Sequence, residues 1–271
     1  MVNFDALGTP QPDRPPTVVF VHAHPDDEAI FTGGTIAALA AAGIRSVVVI
    51  ATSGELGEVP HGIERASLRD LRRREASEAC NLLGAERLVF LDHVDSGVDE
   101  GFGRPLGAFV EVPVELVAGQ IATILIDEGA SAVVGYDDHG IYEHPDHVHA
   151  HRATVLAAQL AGVETTYFAT VDREYLHFVE SHLIHRADAS IPSMRPIGSS
   201  TVEISTVVAV HEHLERKQAA IAAHTSQIVD PFLGVQGSFA DVYGYEWYLR
   251  HGPAGPIDHV IAGSLPSALS A

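Results

Sequence analysis

The order of this chain predicts an α/β fold: a mostly parallel sheet with helices on both faces and a smaller C-terminal embellishment. Short apolar, strand-like runs alternate with longer helical runs, which is the βαβ pattern of a parallel sheet. Two of the strand-to-helix turns carry clustered histidine and aspartate, and in an open α/β sheet ligand sites collect at the carboxyl ends of the strands. No internal repeat or low-complexity block interrupts the alternation.

Thr17–His24, opened by the apolar, β-branched run from Thr17 to Phe20, is the first strand, and Glu28–Ala42 is the helix after it. Arg45–Ser53, built on Val47, Val48, Val49 and Ile50, is the second strand, followed by a helix over Ser67–Leu83. Arg87–Asp92 and Ser131–Asp137 are the third and fourth strands, with a helix at Pro113–Glu128 between them. A fourth helix runs over Pro145–Ala161 and leads to a strand at Glu164–Val171. The remainder is less regular. Arg173–His185 reads as helix, Asp188–Ser200 as a loop, Thr201–Val210 as an alternating strand and His211–His224 as helix. The glycine-bearing connections His93–Val112 and Ile228–Gly244 are long enough to wall a pocket. Residues 1–16 are a polar, proline-rich extension, 17–250 one domain, and 251–271 a tail of small residues.

Composition excludes partners better than it names them. The 36 acidic residues outnumber 16 basic ones, the net charge is −20, and Lys217 is the only lysine. A protein that grips nucleic acid backbone or an anionic membrane needs a basic patch, and none is visible. No apolar run is long enough to span a bilayer. Met1–Pro16 lacks the basic and apolar regions of a secretory signal, so a soluble cytoplasmic protein is expected. The lone cysteine, Cys80, rules out an intramolecular disulfide and a cysteine-rich zinc cluster, and on an apolar helical face it reads as a buried thiol. Seventeen histidines are many for this length, but the count alone proves no metal site.

The chemistry gathers first at His24-Pro25-Asp26-Asp27-Glu28, between the first strand and its helix. Pro25 fixes one backbone dihedral. The two neighbouring aspartates point in different directions, so one could bind a metal with His24 while the other takes a proton. A helix cap, with Glu28 favouring the helix dipole, is the favoured reading of this stretch taken alone. The stretch from Tyr136 to His147 repeats the pattern after the fourth strand and ends in His144-Pro145-Asp146-His147. Along a helix His144, His147 and His151 share a face, while His149 points elsewhere. Three nitrogen and oxygen ligands plus a water form the pattern of a catalytic zinc site.

Ala23–Glu28 and His144–His147 together resemble the LmbE-like, or PIG-L, family of zinc-dependent de-N-acetylases, over roughly residues 17–250. Weaker echoes are Thr52-Ser53-Gly54-Glu55, Arg72–Glu75, Leu91–Gly97 and Ala223–Gln227. The resemblance implies a Rossmann-like sheet and removal of an N-acetyl group from an N-acetylglucosamine-type conjugate, a small amino-sugar molecule. It implies that His24, Asp27 and His147 bind zinc, with ferrous iron fitting the same ligands. It makes Asp26 the general base, His144 the imidazole at the reacting centre, and Asp146 the partner that orients His144. It also implies substrate roles for Arg72, Asp95 and Tyr142. As bare residues these read otherwise: Arg72 as part of a solvated basic face, Asp95 as a turn former, Tyr142 as a packing aromatic.

His22 reads as a satisfied strand histidine, His151 as packing or support, and His182 and His185 as surface or loop residues. His224 and Gln227 match the family's C-terminal signature, as pocket lining or as core. The segment after Glu58 is shorter than expected of a mycothiol-pathway deacetylase, and Ser181–Ser200 matches no subfamily, so the aglycone stays open. An amidase for a larger amide, such as a mycothiol S-conjugate, is the neighbouring alternative. A catalytically silent sugar-binding relative would lack a ligand or the base, and all are present. A nucleotide-dependent oxidoreductase would need Gly-x-Gly-x-x-Gly where His-Pro-Asp-Asp stands. The sequence leaves monomer and homo-oligomer both open.

Overall fold

The structure, a computed structural model, describes residues 15–97, 103–182, 197–227 and 236–262. Seven strands form one sheet in the order β3-β2-β1-β4-β5-β7-β6. They are β1 (Thr17–His22), β2 (Arg45–Thr52), β3 (Arg87–His93), β4 (Ala130–Tyr136), β5 (Thr165–Thr170), β6 (Thr206–Ala209) and β7 (Tyr245–His251). The first five run parallel, and β7 pairs antiparallel with both β5 and β6. The helices are α1 (Asp27–Ala41), α2 (Arg65–Leu83), α3 (Val114–Glu128), the irregular turn α4 (Gly140–Glu143), α5 (Pro145–Ala161), α6 (Arg173–His182), α7 (Leu214–Ala223), α8 (Gln236–Tyr243) and α9 (Pro256–Ile261).

A strand covered on both faces needs apolar side chains in both directions, which is why the parallel strands read as unbroken apolar runs. Val18, Phe20, Val48, Ile50 and Val134 point to one face and meet Ile36, Leu39, Ala76, Leu83 and Ile221 from α1, α2 and α7. Val19, Val21, Val47, Val49 and Val133 point to the other and meet Val117, Ile121, Leu125, Ala153 and Ala157 from α3 and α5. The chain leaves β1 for β2 on one side and later returns to β4 on the other. That reversal opens a crevice at the carboxyl ends of β1 and β4, where sheets of this kind bind ligands. Both histidine-aspartate turns lie there.

The C-terminal third departs most from expectation. The strand expected at Thr201–Val210 contracts to β6, with a turn at Thr201–Glu203, and the helix expected from His211 starts as a 3-10 turn before α7. The connection Ile228–Gly244 holds α8, with 228–235 outside the described residues, and α9 lies in the expected tail. Residues 183–185 of the expected fifth helix and 188–196 of the expected loop also lie outside. The sequence reading assigned no strand to Tyr245–His251. β7 brings the buried Glu246 beneath α1, where its carboxylate accepts from the amides of Gly34 and Thr35 at 2.7 and 2.8 Å. Lys217 of α7 completes the pair at 2.7 Å, both side chains 1% exposed. Gly34 is required by this packing, since a Cβ there would stand 2.4 Å from Val210. No helix among the described residues is long and apolar enough to cross a membrane.

Candidate metal and catalytic site

His24 follows β1, and Asp27 opens α1. The Asp27 carboxylate turns back over the turn, with Oδ2 accepting from the His24 amide at 2.9 Å and from the Tyr136 hydroxyl at 2.7 Å. Tyr136 ends β4, accepts from the Ala23 amide at 2.8 Å, and lies stacked on His147 with ring centroids 4.0 Å apart. The two turns are therefore locked together by one phenol. Asp27 Oδ2 stands 3.4 Å from His24 Nδ1 and 3.3 Å from His147 Nε2. These spacings are close to the ~3.3 Å between neighbouring ligands on a tetrahedron with bonds of about 2.0 Å.

His147 is fully buried, and neither of its ring nitrogens has a hydrogen-bond partner. Leaving a buried polar group unsatisfied costs about 1–3 kcal/mol, so an imidazole placed this way calls for a ligand. A metal ion fits this donor set. Ring nitrogens of His24, His144 and His147 lie within 4.8 Å of one another, and His24 with Asp95 and Asp146 forms a second such group. The second group is better explained by hydrogen bonding. The Asp146 carboxylate meets His24 Nε2 at 3.2 Å and accepts from the Ser96 amide at 3.1 Å. A carboxylate on the far nitrogen of a metal-binding histidine fixes its tautomer and ring plane.

That contact revises the part expected of Asp146. Its carboxylate supports His24, and it is its backbone N–H that meets His144, donating to Nδ1 at 3.2 Å. The reason is local: His144 is the N-cap of α5, so its ring receives a helix amide while the Asp146 side chain projects inward. With Nδ1 accepting, a neutral His144 carries its proton on Nε2. Burial, with His24 and His147 beside it, pushes the His144 imidazole down to about 4.

Asp26 sits between these groups with φ 111° and ψ −33°, and its side chain makes no cap bond to α1. The helix-cap reading of this aspartate is thus not what the structure shows. Burial pushes its carboxyl up to about 7; the Asp27 charge adds to that, against the pull of Arg72. Burial also disfavours the Asp27 charge, but His147 and His24 outweigh it and hold that carboxyl well below the usual range.

Arg72 is 4% exposed, which excludes the solvated-face reading. Its neighbours Arg69 and Arg73 take that outer role on Asp92. The Arg72 guanidinium donates to Asp26 Oδ2 at 3.1 Å, to Gly54 O at 2.7 Å and to Pro25 O. Gly54, at φ 62°, leaves room for it, since a Cβ would fall 2.1 Å from Arg72 Nη1. Asp95 is both turn former and site neighbour: it accepts from Gly97 at 2.9 Å and Leu56 at 3.1 Å, and lies 3.7 Å from His24 Nε2. Tyr142 is 41% exposed, with its ring 5.0 Å from His147 and 5.9 Å from His144. It follows Ile141, held at φ 63° in the irregular α4.

Outside this cluster, His22 Nε2 bonds Thr32 at 3.0 Å while its Nδ1 is buried without a partner, and His151 bonds Tyr136 O at 2.8 Å, so both rings are engaged away from the ligand positions. His224 is core, bonded to Glu28 at 2.6 Å, and Gln227 donates to Glu58 O at 2.8 Å. His185 lies outside the described residues. Burial raises the Cys80 thiol far above its ordinary value, as expected of an inert cysteine. Sequence reasoning gave no role to Tyr136, Ser96 or Glu75. Each nonetheless lay in a stretch that carried a signal: Tyr136 opens the second motif, and Glu75 and Ser96 fall within the weaker echoes Arg72–Glu75 and Leu91–Gly97. An apolar cavity of about 140 Å³ lies behind Phe31, walled by Ile30, Tyr175, Tyr245 and Trp247. Phe31 separates it from His147.

The family model of the GlcNAc-PI de-N-acetylases, PIG-L, matches residues 19–158, which include both turns. The chain belongs to the PIG-L family. Its enzyme class is that family's: hydrolysis of an N-acetyl amide bond. It is 33% identical to the 1D-myo-inositol 2-acetamido-2-deoxy-alpha-D-glucopyranoside deacetylase of Thermomonospora curvata, over 88% of this chain and 92% of that one. That alignment runs over 273 positions, more than the covered part of this chain supplies, so the relative carries insertions that this PIG-L protein lacks. The N,N'-diacetylchitobiose deacetylase of Pyrococcus horikoshii is similar in structure, with TM-score 0.57 and 25% identity over 87% of this chain and 84% of that one. The 4-carboxy-2-hydroxymuconate hydratase of Pseudomonas putida shares the fold, with TM-score 0.55 and 17% identity over 88% and 97% of the two chains. The fold thus carries more than one reaction, and the assignment rests on the site.

Proposed function

We propose that this PIG-L protein is a zinc-dependent de-N-acetylase of a small N-acetylglucosaminyl conjugate, with an inositol-type aglycone the first to test. One observation carries the reading. The buried, unsatisfied His147 faces Asp27 and His24 at ligand spacing, and Asp26 stands beside them with a raised carboxyl. His24, Asp27 and His147 would hold the metal. A bound zinc supplies Lewis acidity, polarising the amide carbonyl and lowering the pKa of water at the site to about 7.

The remaining chemistry belongs to side chains. Asp26 takes a proton from the attacking water and passes it to the amine nitrogen as the C–N bond breaks, and a carboxyl poised near neutrality suits both transfers. His144 donates from Nε2 to the carbonyl oxygen as negative charge develops there, a role that a neutral imidazole fills. Removing one such donor typically costs about 10²–10³ in rate. Asp146 fixes the ring of His24, and Arg72 fixes the carboxylate of Asp26. Tyr142, exposed at the edge of the cluster, would meet the sugar, with the buried Asp95 behind it near His24.

The test is acetate release from N-acetylglucosaminyl-inositol, N-acetylglucosamine and N,N'-diacetylchitobiose, by metal-depleted protein with and without added zinc or ferrous iron. Metal-dependent acetate release is expected. Release of a larger acyl group from a thiol conjugate, with none from these sugars, would overturn the substrate class, and no turnover with any metal would overturn the reading.

A further inference from the structure

We propose that Glu28 and His224 are a positioning pair that holds Asp26 in its strained conformation and so aims its carboxylate beside the metal ligands. The inference rests on the reading of Asp26 as proton acceptor.

A φ of 111° is rare for any residue with a Cβ, and such a conformation persists only where its surroundings fix it. Four hydrogen bonds do so. The Asp26 amide donates to Glu28 Oε2 at 2.9 Å. Its carbonyl accepts from Ala29 and Ile30 at 3.0 Å each, and its carboxylate accepts from Arg72 at 3.1 Å. Glu28 is held in turn, because its other oxygen takes the His224 ring at 2.6 Å. Both side chains are 0% exposed.

A carboxylate that merely favoured the dipole of α1 would do so from the surface. Burying it against a histidine 196 residues away carries a desolvation penalty, which fits a part that requires fixed geometry. The same C-terminal turn reaches the other grip on Asp26. Ser226 and Thr225 donate to Glu75 at 2.6 and 2.9 Å, and Glu75 lies three residues beyond Arg72 on the buried face of α2. The turn at His224–Gln227 therefore braces the reacting aspartate at its amide through Glu28, and braces the helix that carries its guanidinium partner through Glu75.

The experiment measures kcat, KM and bound metal for the holoenzyme, with Glu28→Gln and His224→Ala each made in the native and the Asp26→Asn background. Glu28→Gln keeps an oxygen for the Asp26 amide but turns an N–H toward His224, so the charged contact is lost and the bond survives only with the ring as acceptor. Each variant is expected to lower kcat about 10–100-fold, with KM and metal content unchanged. His224→Gln, which keeps a donor toward Glu28, recovers part of the loss. In the Asp26→Asn background the same changes alter the residual rate by less than about twofold, because the group they position no longer acts. Equal losses in both backgrounds, or native kcat in Glu28→Gln and His224→Ala, would overturn the positioning role. Native turnover by Asp26→Asn alone would instead remove the reading of Asp26 as base, and the positioning role with it.

Discussion

Replacing Asp26 by asparagine separates proton transfer from everything else this residue does. The amide is nearly isosteric, and its oxygen can still accept from Arg72 Nη2, which now stands 3.1 Å from Asp26 Oδ2. Backbone contacts to Glu28, Ala29 and Ile30 do not involve the side chain. Asparagine is also among the residues that enter positive φ most readily, so φ 111° becomes no harder to hold. Stability is therefore expected to change by less than about 1 kcal/mol. Asp27, His24 and His147 are untouched, so bound metal is expected to stay as in the native protein. What disappears is the capacity to take and return a proton, worth about 10²–10⁴ in rate, or about 3–5 kcal/mol of barrier. Acetate release under saturating substrate, urea unfolding of the metal-free form and elemental analysis of the loaded form read the three quantities separately. A kcat within about threefold of native would refute the assignment, whatever the other two measurements gave.

Three further outcomes follow from the same geometry. His147→Ala removes a donor that has no other partner, so the purified variant should lose its metal through dialysis against a weak chelator; native stoichiometry by elemental analysis would count against the ligand set. Arg72→Lys keeps the charge but cannot span Pro25 O, Gly54 O and Asp26 Oδ2 with one ammonium. Its kcat should fall about 10–100-fold with metal retained, and an unchanged kcat would show that the fork is dispensable. Lys217→Met leaves the Glu246 carboxylate buried without its cation, a change that costs about 3–5 kcal/mol when one partner of a buried pair is lost. The amides of Gly34 and Thr35 still serve Glu246 and place the expected loss at the lower end. Urea unfolding checks it, and a loss below about 1 kcal/mol would mean that the two backbone amides and the Tyr248 hydroxyl, 3.2 Å from Oε2, satisfy Glu246 without the lysine.

The features legible in the sequence are those set by short spacing. Apolar strands alternating with helices fixed the parallel sheet, and two histidine-aspartate turns after β1 and β4 converged because those strands are neighbours at the crevice. Features that depend on distant pairing were not legible. Three consecutive arginines, Arg72 to Arg74, share one composition signal, and only packing decides that Arg72 turns inward beneath Gly54. The aromatic run of β7 gives no hint that it slots antiparallel between β5 and β6. Asp146 was assigned to its near neighbour His144, because sequence proximity cannot show that an α5 side chain reaches across to His24. The bond between Glu28 and His224 joins segments 196 residues apart, and nothing local to either announces it.

The Lys217–Glu246 pair also has a practical consequence for chemical labelling. Lys217 is the only lysine in 271 residues, and its ammonium is 1% exposed. In the native state no lysine amine is available to acylating dyes, amine crosslinkers or aldehyde fixation. Acylation of Lys217 thus marks the moment at which α7 separates from β7, and a mass increment mapped to the peptide that carries Lys217, apart from any on the α-amine, would report the opening of this core.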